Sequence, residues 1–232
     1  MIQITSDSTC DLGKYVEARG IGIMPLTVIL GDVPHSDGVD IVPQDIFDYV
    51  ERTGELPKTA APSIGDYEDF FRPYVEEGKT VIHFSISAKA SSACSYAQEA
   101  AKAFPGKVFF FVSKALSTGQ GLLIMKAADL RDAGVSAEEI VEKVNALRPY
   151  VNTSFVPDRL DYLYKGGRCS RMAFYGATLL KFHPLIEMRD GQLTADKKYR
   201  GGMVKCIEQY IDDLAVKYPK YEKTRCFITN SM

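Results

Sequence analysis

Residues 81–98 carry side chains whose types and spacing suit the binding of an anion. The apolar run 81–84 is typical of a buried strand, and several serines follow it, among them Ser87, Ser91 and Ser92. An alanine-rich helical pattern comes next. Hydroxyls and free N–H groups at a helix start suit a carboxylate or phosphate, because the helix N-terminus carries partial positive charge. Simple capping of the helix by Ser91 or Ser92 explains the same serines without a ligand.

A second hydroxyl, that of Thr59, stands in a segment stiffened by Pro57 and Pro62. The sequence predicts a loop there, and Thr59 has no obvious helix to cap. A hydroxyl on a stiff loop is already placed to meet a ligand, which lowers the entropy lost on binding. The spacing also fits an exposed connector residue that binds nothing. Thr59 is therefore a candidate for contact with a ligand.

A third candidate is the run Gly166, Gly167 and Arg168. Two glycines permit a tight turn and expose backbone N–H groups. The arginine guanidinium can hold an anion through two parallel hydrogen bonds. The same residues also fit a surface contact with a partner protein.

Other chemistries find little support in the sequence. His35, His83 and His183 lie far apart without companions at ligand spacing, so we expect no metal site, and we expect His83 to pack in the core. There is no phosphate-binding loop, dinucleotide fingerprint or nucleophile elbow. Ser87 or Ser91 would act as a nucleophile only if a histidine and a carboxylate converged on it. If they did converge, the protein would be a serine-dependent lipid ester hydrolase, which is the alternative to a binding function.

Charge and hydropathy narrow the functional classes further. The chain has 28 basic and 30 acidic residues, a formal net charge of −2, which gives no basis for a nucleic-acid partner. No apolar run is long enough to span a bilayer, and the first residues lack the pattern of a secretory leader. The five cysteines are scattered and odd in number. We expect a cytoplasmic protein with reduced thiols and no integral membrane segment.

The first part of the chain supplies the elements that must position these side chains. Strand and helix patterns alternate over residues 1–148, which predicts an α/β domain with a mostly parallel sheet. In such sheets the carboxyl ends of the strands are the usual place for a site. Asp7 follows the first strand, where it could be catalytic or could bond local backbone groups and fix the turn.

From residue 149 the pattern changes, and we predict a smaller α+β domain over residues 149–232. An apolar helix is predicted at 172–182, and Asp190-Gly191 predicts the turn of a hairpin. A final strand is predicted at 224–229.

Five segments occur in an order that is more specific than any one of them alone. They read TSDSTCDL (5–12), TAAPS (59–63), ISAKASS (86–92), YLYKGGRCS (162–170) and LLKFHPLI (179–186). Together they resemble the DegV family of bacterial fatty-acid-binding proteins over nearly the whole chain.

The resemblance implies two α/β domains with one long-chain fatty acid in a tunnel between them. It implies that hydroxyls matching Thr59 and Ser91 hold the carboxylate, helped by neighbouring backbone N–H groups. Ser87 and Ser92 of the serine-rich turn are further candidate contacts with the carboxylate. It also implies a carrier rather than an enzyme, with no cofactor beyond the bound lipid. Some members present the acid to a fatty acid kinase subunit, and the region matching 166–168 would lie near that partner.

Three departures from the family pattern bear on these expectations. Ala60 and Ala61 replace polar residues near the expected head group, and Val112 stands where the family usually has aspartate. Family members usually continue past Met232. We therefore expect a DegV-like two-domain α/β fold with a truncated C-terminal domain.

Overall fold

The computed structural model describes residues 1–168 and 182–230. The chain divides into two compact units, one of Met1–Val151 with Phe227–Met232 and the other of Asn152–Cys226. The predicted domain boundary between residues 148 and 149 stays a prediction. The helix predicted at 172–182 lies outside the described residues, apart from its last position.

Strands and helices alternate over much of residues 1–148, as the sequence predicts, although three short strands follow one another over residues 22–36 and two helices over residues 117–147. The strands are β1 (Ile2–Asp7), β2 (Gly22–Met24), β3 (Thr27–Leu30), β4 (Val33–Ser36), β5 (Lys58–Ala60), β6 (Thr80–Ser85), β7 (Val108–Val112), β8 (Ser154–Phe155), β9 (Phe182–Arg189) and β10 (Gln192–Arg200). The helices are α1 (Tyr15–Ala18), α2 (Pro43–Thr53), α3 (Ile64–Glu76), α4 (Ala93–Ala101), α5 (Ser117–Asp132), α6 (Ala137–Leu147), α7 (Asp161–Lys165) and α8 (Met203–Lys217). Short 3-10 turns cover Ser8–Cys10 and Arg148–Tyr150.

The first unit is organised around a parallel sheet with the strand order β2-β1-β6-β7. All three strand pairs in it are parallel. Side chains of β6 alternate between two apolar clusters, because successive residues of a strand face opposite sides. Ile82 and Phe84 join one cluster with residues of α5 and α6, whereas Val81 joins the other with residues of α3 and α4. This confirms the predicted α/β class.

A small antiparallel sheet with the order β4-β3-β5 belongs to the same unit. Its strand β5 contains Thr59, so the prediction of a loop at this position is wrong for Lys58–Ala60. Val28 of β3 pairs with Thr59, and Thr27 pairs with Ala60. The segment can pair because its two prolines stand outside the three paired residues and remove no N–H group from the ladder.

The second unit contains a three-stranded antiparallel sheet with the order β10-β9-β8. Asp190 and Gly191 join β9 to β10 with φ angles of 48° and 77°, which confirms the predicted hairpin turn. The strand predicted at 224–229 is wrong, because this segment has no regular secondary structure. Phe227 instead packs on the core of the first unit, with its ring centroid 5.7 Å from that of Tyr15.

Candidate functional site

The serine-rich turn between β6 and α4 is stabilised by its own backbone. The carbonyl oxygen of Ser87 accepts the N–H of Ala90 at 2.9 Å and that of Ser91 at 3.3 Å. Ser87 is almost fully buried, Ser91 is half-buried and Ser92 is exposed. The turn therefore presents Ser91 and Ser92 at the surface, while Ser87 shapes it from within.

The start of α4 shows that capping and ligand binding can involve the same residue. Ser91 Oγ accepts the N–H of Ala93 at 3.2 Å, so it satisfies one of the donors that a helix start leaves unpaired. Ser92 occupies the N-cap position but makes no side-chain cap. A hydroxyl that accepts one hydrogen bond still has its own O–H to donate. The Ser91 hydroxyl can therefore donate to an anion while it caps the helix.

Asp7, at the carboxyl end of β1, is fully buried and binds the start of this turn. Its Oδ2 accepts the Ser85 hydroxyl at 2.9 Å and the Ile86 N–H at 2.8 Å. Its Oδ1 accepts the amide of Gln120 at 3.0 Å and the hydroxyl of Thr9. The sequence indicated either catalysis or local backbone bonds for Asp7, but three of its four donors come from distant parts of the chain.

Gln120, which no motif in the sequence marks as functional, completes this network. It is fully buried in α5. Besides Asp7, its Nε2 lies 2.8 Å from Ser6 Oγ and 3.4 Å from the Phe84 carbonyl oxygen, so its two N–H groups are shared among three acceptors, and its Oε1 accepts from Ser113 Oγ at 3.2 Å. One side chain thereby joins the carboxyl ends of β1, β6 and β7. The sequence feature that could have indicated its role is a single amide side chain between two glycines in an otherwise apolar helix.

Gly121 explains why the helix can approach so closely. A Cβ atom at this position would lie 2.8 Å from Leu12 Cδ2 and 3.1 Å from the Cys10 carbonyl oxygen. A larger residue would crowd the segment that follows β1, so glycine at this position favours the close packing of α5 against it. This close packing keeps the Gln120 amide within reach of Asp7.

The buried position of Asp7 also changes its acidity. Burial raises the pKa of the Asp7 carboxyl above its usual value, while the hydrogen bonds from Thr9, Ile86, Gln120 and Ser85 act in the opposite direction. The four donors are neutral groups, so they solvate the carboxylate without cancelling its charge.

Thr59 is exposed on β5. The segment that leads into its sheet is connected by a hydrogen bond to Ser8, the residue after Asp7. The Leu26 N–H, just before β3, donates to Ser8 Oγ at 3.1 Å. The Ser8 hydroxyl donates in turn to Asp37 Oδ2 at 2.6 Å. The serine turn is therefore hydrogen-bonded to Asp7, and the segment that leads into the sheet of Thr59 is hydrogen-bonded to the next residue, Ser8.

Gly166, Gly167 and Arg168 lie in the second unit, directly after α7. Gly167 has a φ of 76°, which confirms the tight turn predicted from the two glycines. The Arg168 N–H donates to the Leu163 carbonyl at 2.8 Å, and its guanidinium donates to the Gly166 carbonyl. Arg168 is exposed, so its side chain is accessible from solvent.

His83 packs in the core, as predicted. It is fully buried, its Nδ1 lies 3.0 Å from Thr5 Oγ1, and its ring contacts Tyr67 and Phe71 at centroid distances of 5.5 and 5.1 Å. Burial lowers the pKa of His83 to about 3. A histidine in this environment stays neutral and out of contact with solvent.

Metal-binding and membrane-spanning features are absent from residues 1–168 and 182–230. No group of three or more His, Cys, Asp or Glu side chains in these ranges is arranged to hold a metal ion. None of the helices described there combines the length and apolar character needed to cross a bilayer. Cys10, Cys94 and Cys206 are buried free thiols.

Solved structures with similar folds come from several bacteria. A DegV family protein from Thermus thermophilus, described by its fatty acid binding, is 29% identical with a TM-score of 0.84, covering 93% of this chain and 77% of that one. A stearic acid-binding protein from Eubacterium ventriosum is 30% identical with a TM-score of 0.84, covering 95% and 78%. The Fatty Acid Kinase (Fak) B3 protein of Streptococcus pneumoniae, loaded with linoleic acid, is 26% identical with a TM-score of 0.80, covering 94% and 79%.

Sequence comparisons agree with the structural ones. A DegV domain-containing protein of Clostridium perfringens is 30% identical over 223 residues, which are 93% of this chain and 79% of that protein. The family model described as an uncharacterised protein of the DegV family matches residues 1–232. These matches confirm the resemblance read from the five segments, and the chain belongs to the DegV family.

Proposed function

We propose that this protein binds a long-chain fatty acid and acts as a carrier rather than as an enzyme. The observation that carries the proposal is the joint attachment of two hydroxyl-bearing segments to Asp7-Ser8. Ser85 at the end of β6 and Ile86 after it bond Asp7, and Leu26, which directly precedes β3 in the sheet that bears Thr59, bonds Ser8. Structural neighbours at 26–30% identity that are described as binding fatty acids support the same ligand class.

The carboxylate of the lipid is proposed to accept hydrogen bonds from Thr59 and Ser91. Backbone N–H groups at the start of α4 add donors and a favourable dipole. Ser92 is exposed beside them, and Ser87 supports the turn from its buried position. This arrangement fits a carboxylate because burying an unpaired charge costs several kcal/mol, whereas hydroxyl and N–H donors offset that cost.

The acyl tail is proposed to supply most of the affinity. Burial of each methylene contributes about 0.8 kcal/mol. The tunnel between the domains that the family resemblance implies is part of this proposal. The bound acid is the only small molecule required, and no cofactor is proposed.

The partner we propose is a fatty acid kinase subunit, which would phosphorylate the presented carboxylate in the cytoplasm. The support is the structural neighbour named as a Fatty Acid Kinase B3 protein. The exposed turn of Gly166, Gly167 and Arg168 is the proposed contact surface. Arg168 is exposed there, and an arginine guanidinium suits an acidic or phosphate group on the partner.

Mass spectrometry of gently purified protein tests the ligand class directly, and a co-purified long-chain fatty acid is expected. The double variant Thr59→Val/Ser91→Ala should then weaken oleate binding by about tenfold or more, since it removes both proposed hydroxyl donors. Ser95→Ala is a matched control, because Ser95 is exposed on the same helix and donates to the Ser92 carbonyl. Equal affinities for all three proteins would remove Thr59 and Ser91 from the proposed site.

The hydrolase alternative receives less support from the structure. His83 is the histidine nearest in sequence to Ser87 and Ser91, and it is buried and bonded to Thr5. Turnover of nitrophenyl acyl esters that disappears in Ser91→Ala would nevertheless establish a hydrolase and overturn the carrier proposal.

A further inference from the structure

We propose that Asp7 is a positioning residue that sets the geometry of the serine turn, with Gln120 as its partner. The inference rests on the proposed function, because it concerns the turn proposed to hold the lipid carboxylate. Asp7 itself is fully buried and acts on the ligand only through the turn.

The hydrogen bonds of Asp7 reach Ser91 through a short path. Its Oδ2 binds the Ile86 N–H at 2.8 Å. Ser87 is the next residue, and its carbonyl accepts the Ser91 N–H at 3.3 Å. A displacement of Ile86 therefore moves the carbonyl that places Ser91, and with it the hydroxyl proposed to meet the ligand.

Gln120 fixes the orientation of the Asp7 carboxylate. It donates to Oδ1 at 3.0 Å, while Ser85 and Ile86 bind Oδ2. The Gln120 amide is itself oriented by Ser6 and Ser113. The carboxylate is thus bonded on both oxygens, and buried networks satisfied in this way specify one geometry.

Backbone strain at the same edge of the sheet is an independent sign of a constrained site. Asp11, Lys114 and Ser117 have φ angles of 49°, 53° and 52°, a conformation uncommon in residues other than glycine. They follow β1 and β7, the strands on either side of β6. Strained residues persist where the surrounding structure holds them, and they cluster at ligand-binding sites.

The main test is Asp7→Asn. The introduced amide must turn its NH2 either toward Gln120 or toward Ile86, and both of these groups are donors. We expect faster hydrogen–deuterium exchange at the Ile86 and Ser91 amides in the ligand-free protein. We also expect oleate affinity, measured by calorimetry, to fall by about tenfold or more.

Thr5→Val is the matched control for a merely structural effect. Thr5 stands two residues earlier on β1 and makes one buried side-chain hydrogen bond, to the ring of His83 on the neighbouring strand β6. Loss of the hydrogen bond between Thr5 and His83 should lower the melting temperature by about 5 °C. The exchange of the turn amides and the oleate affinity should remain those of the unsubstituted protein.

The swap Asp7→Asn/Gln120→Glu is the matched rescue. The amide introduced at position 7 can donate its N–H to the carboxylate introduced at position 120, while its carbonyl oxygen accepts from Ser85 and Ile86. Because a carboxylate at position 120 cannot donate to Ser6 Oγ or to the Phe84 carbonyl, we expect recovery of part of the lost affinity and amide protection. If Asp7→Asn folds poorly, Ser85→Ala removes a second donor to the same carboxylate oxygen, Oδ2, and we expect a loss of affinity of about threefold.

The proposal is overturned if Asp7→Asn, or Ser85→Ala in its place, changes turn exchange and affinity no more than Thr5→Val does. Failure of the swap to restore either quantity also overturns it. The exchange measurement needs no lipid. If the unsubstituted protein does not bind oleate, the proposed function fails, while exchange still decides whether Asp7 holds the turn.

Discussion

Two buried carboxylates, one in each unit, are satisfied in opposite ways. Asp7 is 0% exposed and accepts four hydrogen bonds from neutral groups. Glu187 on β9 is 6% exposed and binds two cations, Lys217 at 2.7 Å and Arg189 at 2.8 Å. Burial raises the pKa of Asp7. Burial also tends to raise the pKa of Glu187, but Lys217 and Arg189 outweigh it and hold that pKa below its usual value.

The two carboxylates differ in how precisely their hydrogen-bonding partners must be placed, rather than in how strongly those partners bind them. The cations reach Glu187 on long side chains that stay 42% and 50% exposed for Lys217 and Arg189, so they tolerate small movements. The donors of Asp7 are short side chains and a backbone N–H, which must be placed by the sheet itself. The Asp7 region therefore suits a binding turn that needs fixed geometry, whereas the Glu187 region suits the joining of a hairpin to a helix.

Among the changes that test this comparison, Gln120→Leu is expected to lower the stability most. It leaves Asp7 Oδ1, Ser6 and Ser113 short of a partner in a buried place, which costs about 3 kcal/mol. Native-state hydrogen exchange of the β6 amides measures this loss in the first unit. A cost under about 1 kcal/mol would mean that the network is dispensable.

Glu187→Gln should cost less, about 1.5 kcal/mol, measured on the β9 amides. The reason is that Lys217 and Arg189 can turn back to water when their partner loses its charge. Asp196 still binds Arg189 at 2.7 Å, which limits the loss further. A larger cost than that of Gln120→Leu would reverse the comparison.

The two regions also differ in how far the sequence could predict them. Local patterns sufficed for the strand β6, the serine turn and the hairpin at Asp190, because periodicity and turn chemistry are local. The bond from Gln120 to Asp7 spans 113 residues of sequence, and only the packing of α5 on the sheet creates it. The strand β5 was missed for a similar reason, since three residues become a strand only when β3 pairs with them.

The pH dependence should have opposite signs for the two carboxylates. Asp7 holds its proton more tightly in the folded chain, so its contribution to stability rises as pH falls from its raised pKa toward its usual 3.8. Glu187 holds its proton less tightly, so its contribution is lost as pH falls from its usual 4.5 toward its lowered pKa. Each effect is at most about 1.4 kcal/mol per pH unit. Unfolding free energies of Asp7→Asn and Glu187→Gln relative to the unsubstituted chain, measured in acid, should diverge in these directions.

Salt is expected to give the smallest effect. Raising the ionic strength from about 0.1 to 1 M shortens the Debye length from about 10 to 3 Å, which weakens the pairs of Glu187 with its half-exposed cations. The cost of Glu187→Gln on the β9 amides should therefore shrink by about 0.5 kcal/mol. The cost of Gln120→Leu on the β6 amides should stay constant, because neutral dipoles in a buried place are little screened. An equal response at both sites would mean that solvent and ions reach Asp7, which is incompatible with a dry network that fixes the serine turn.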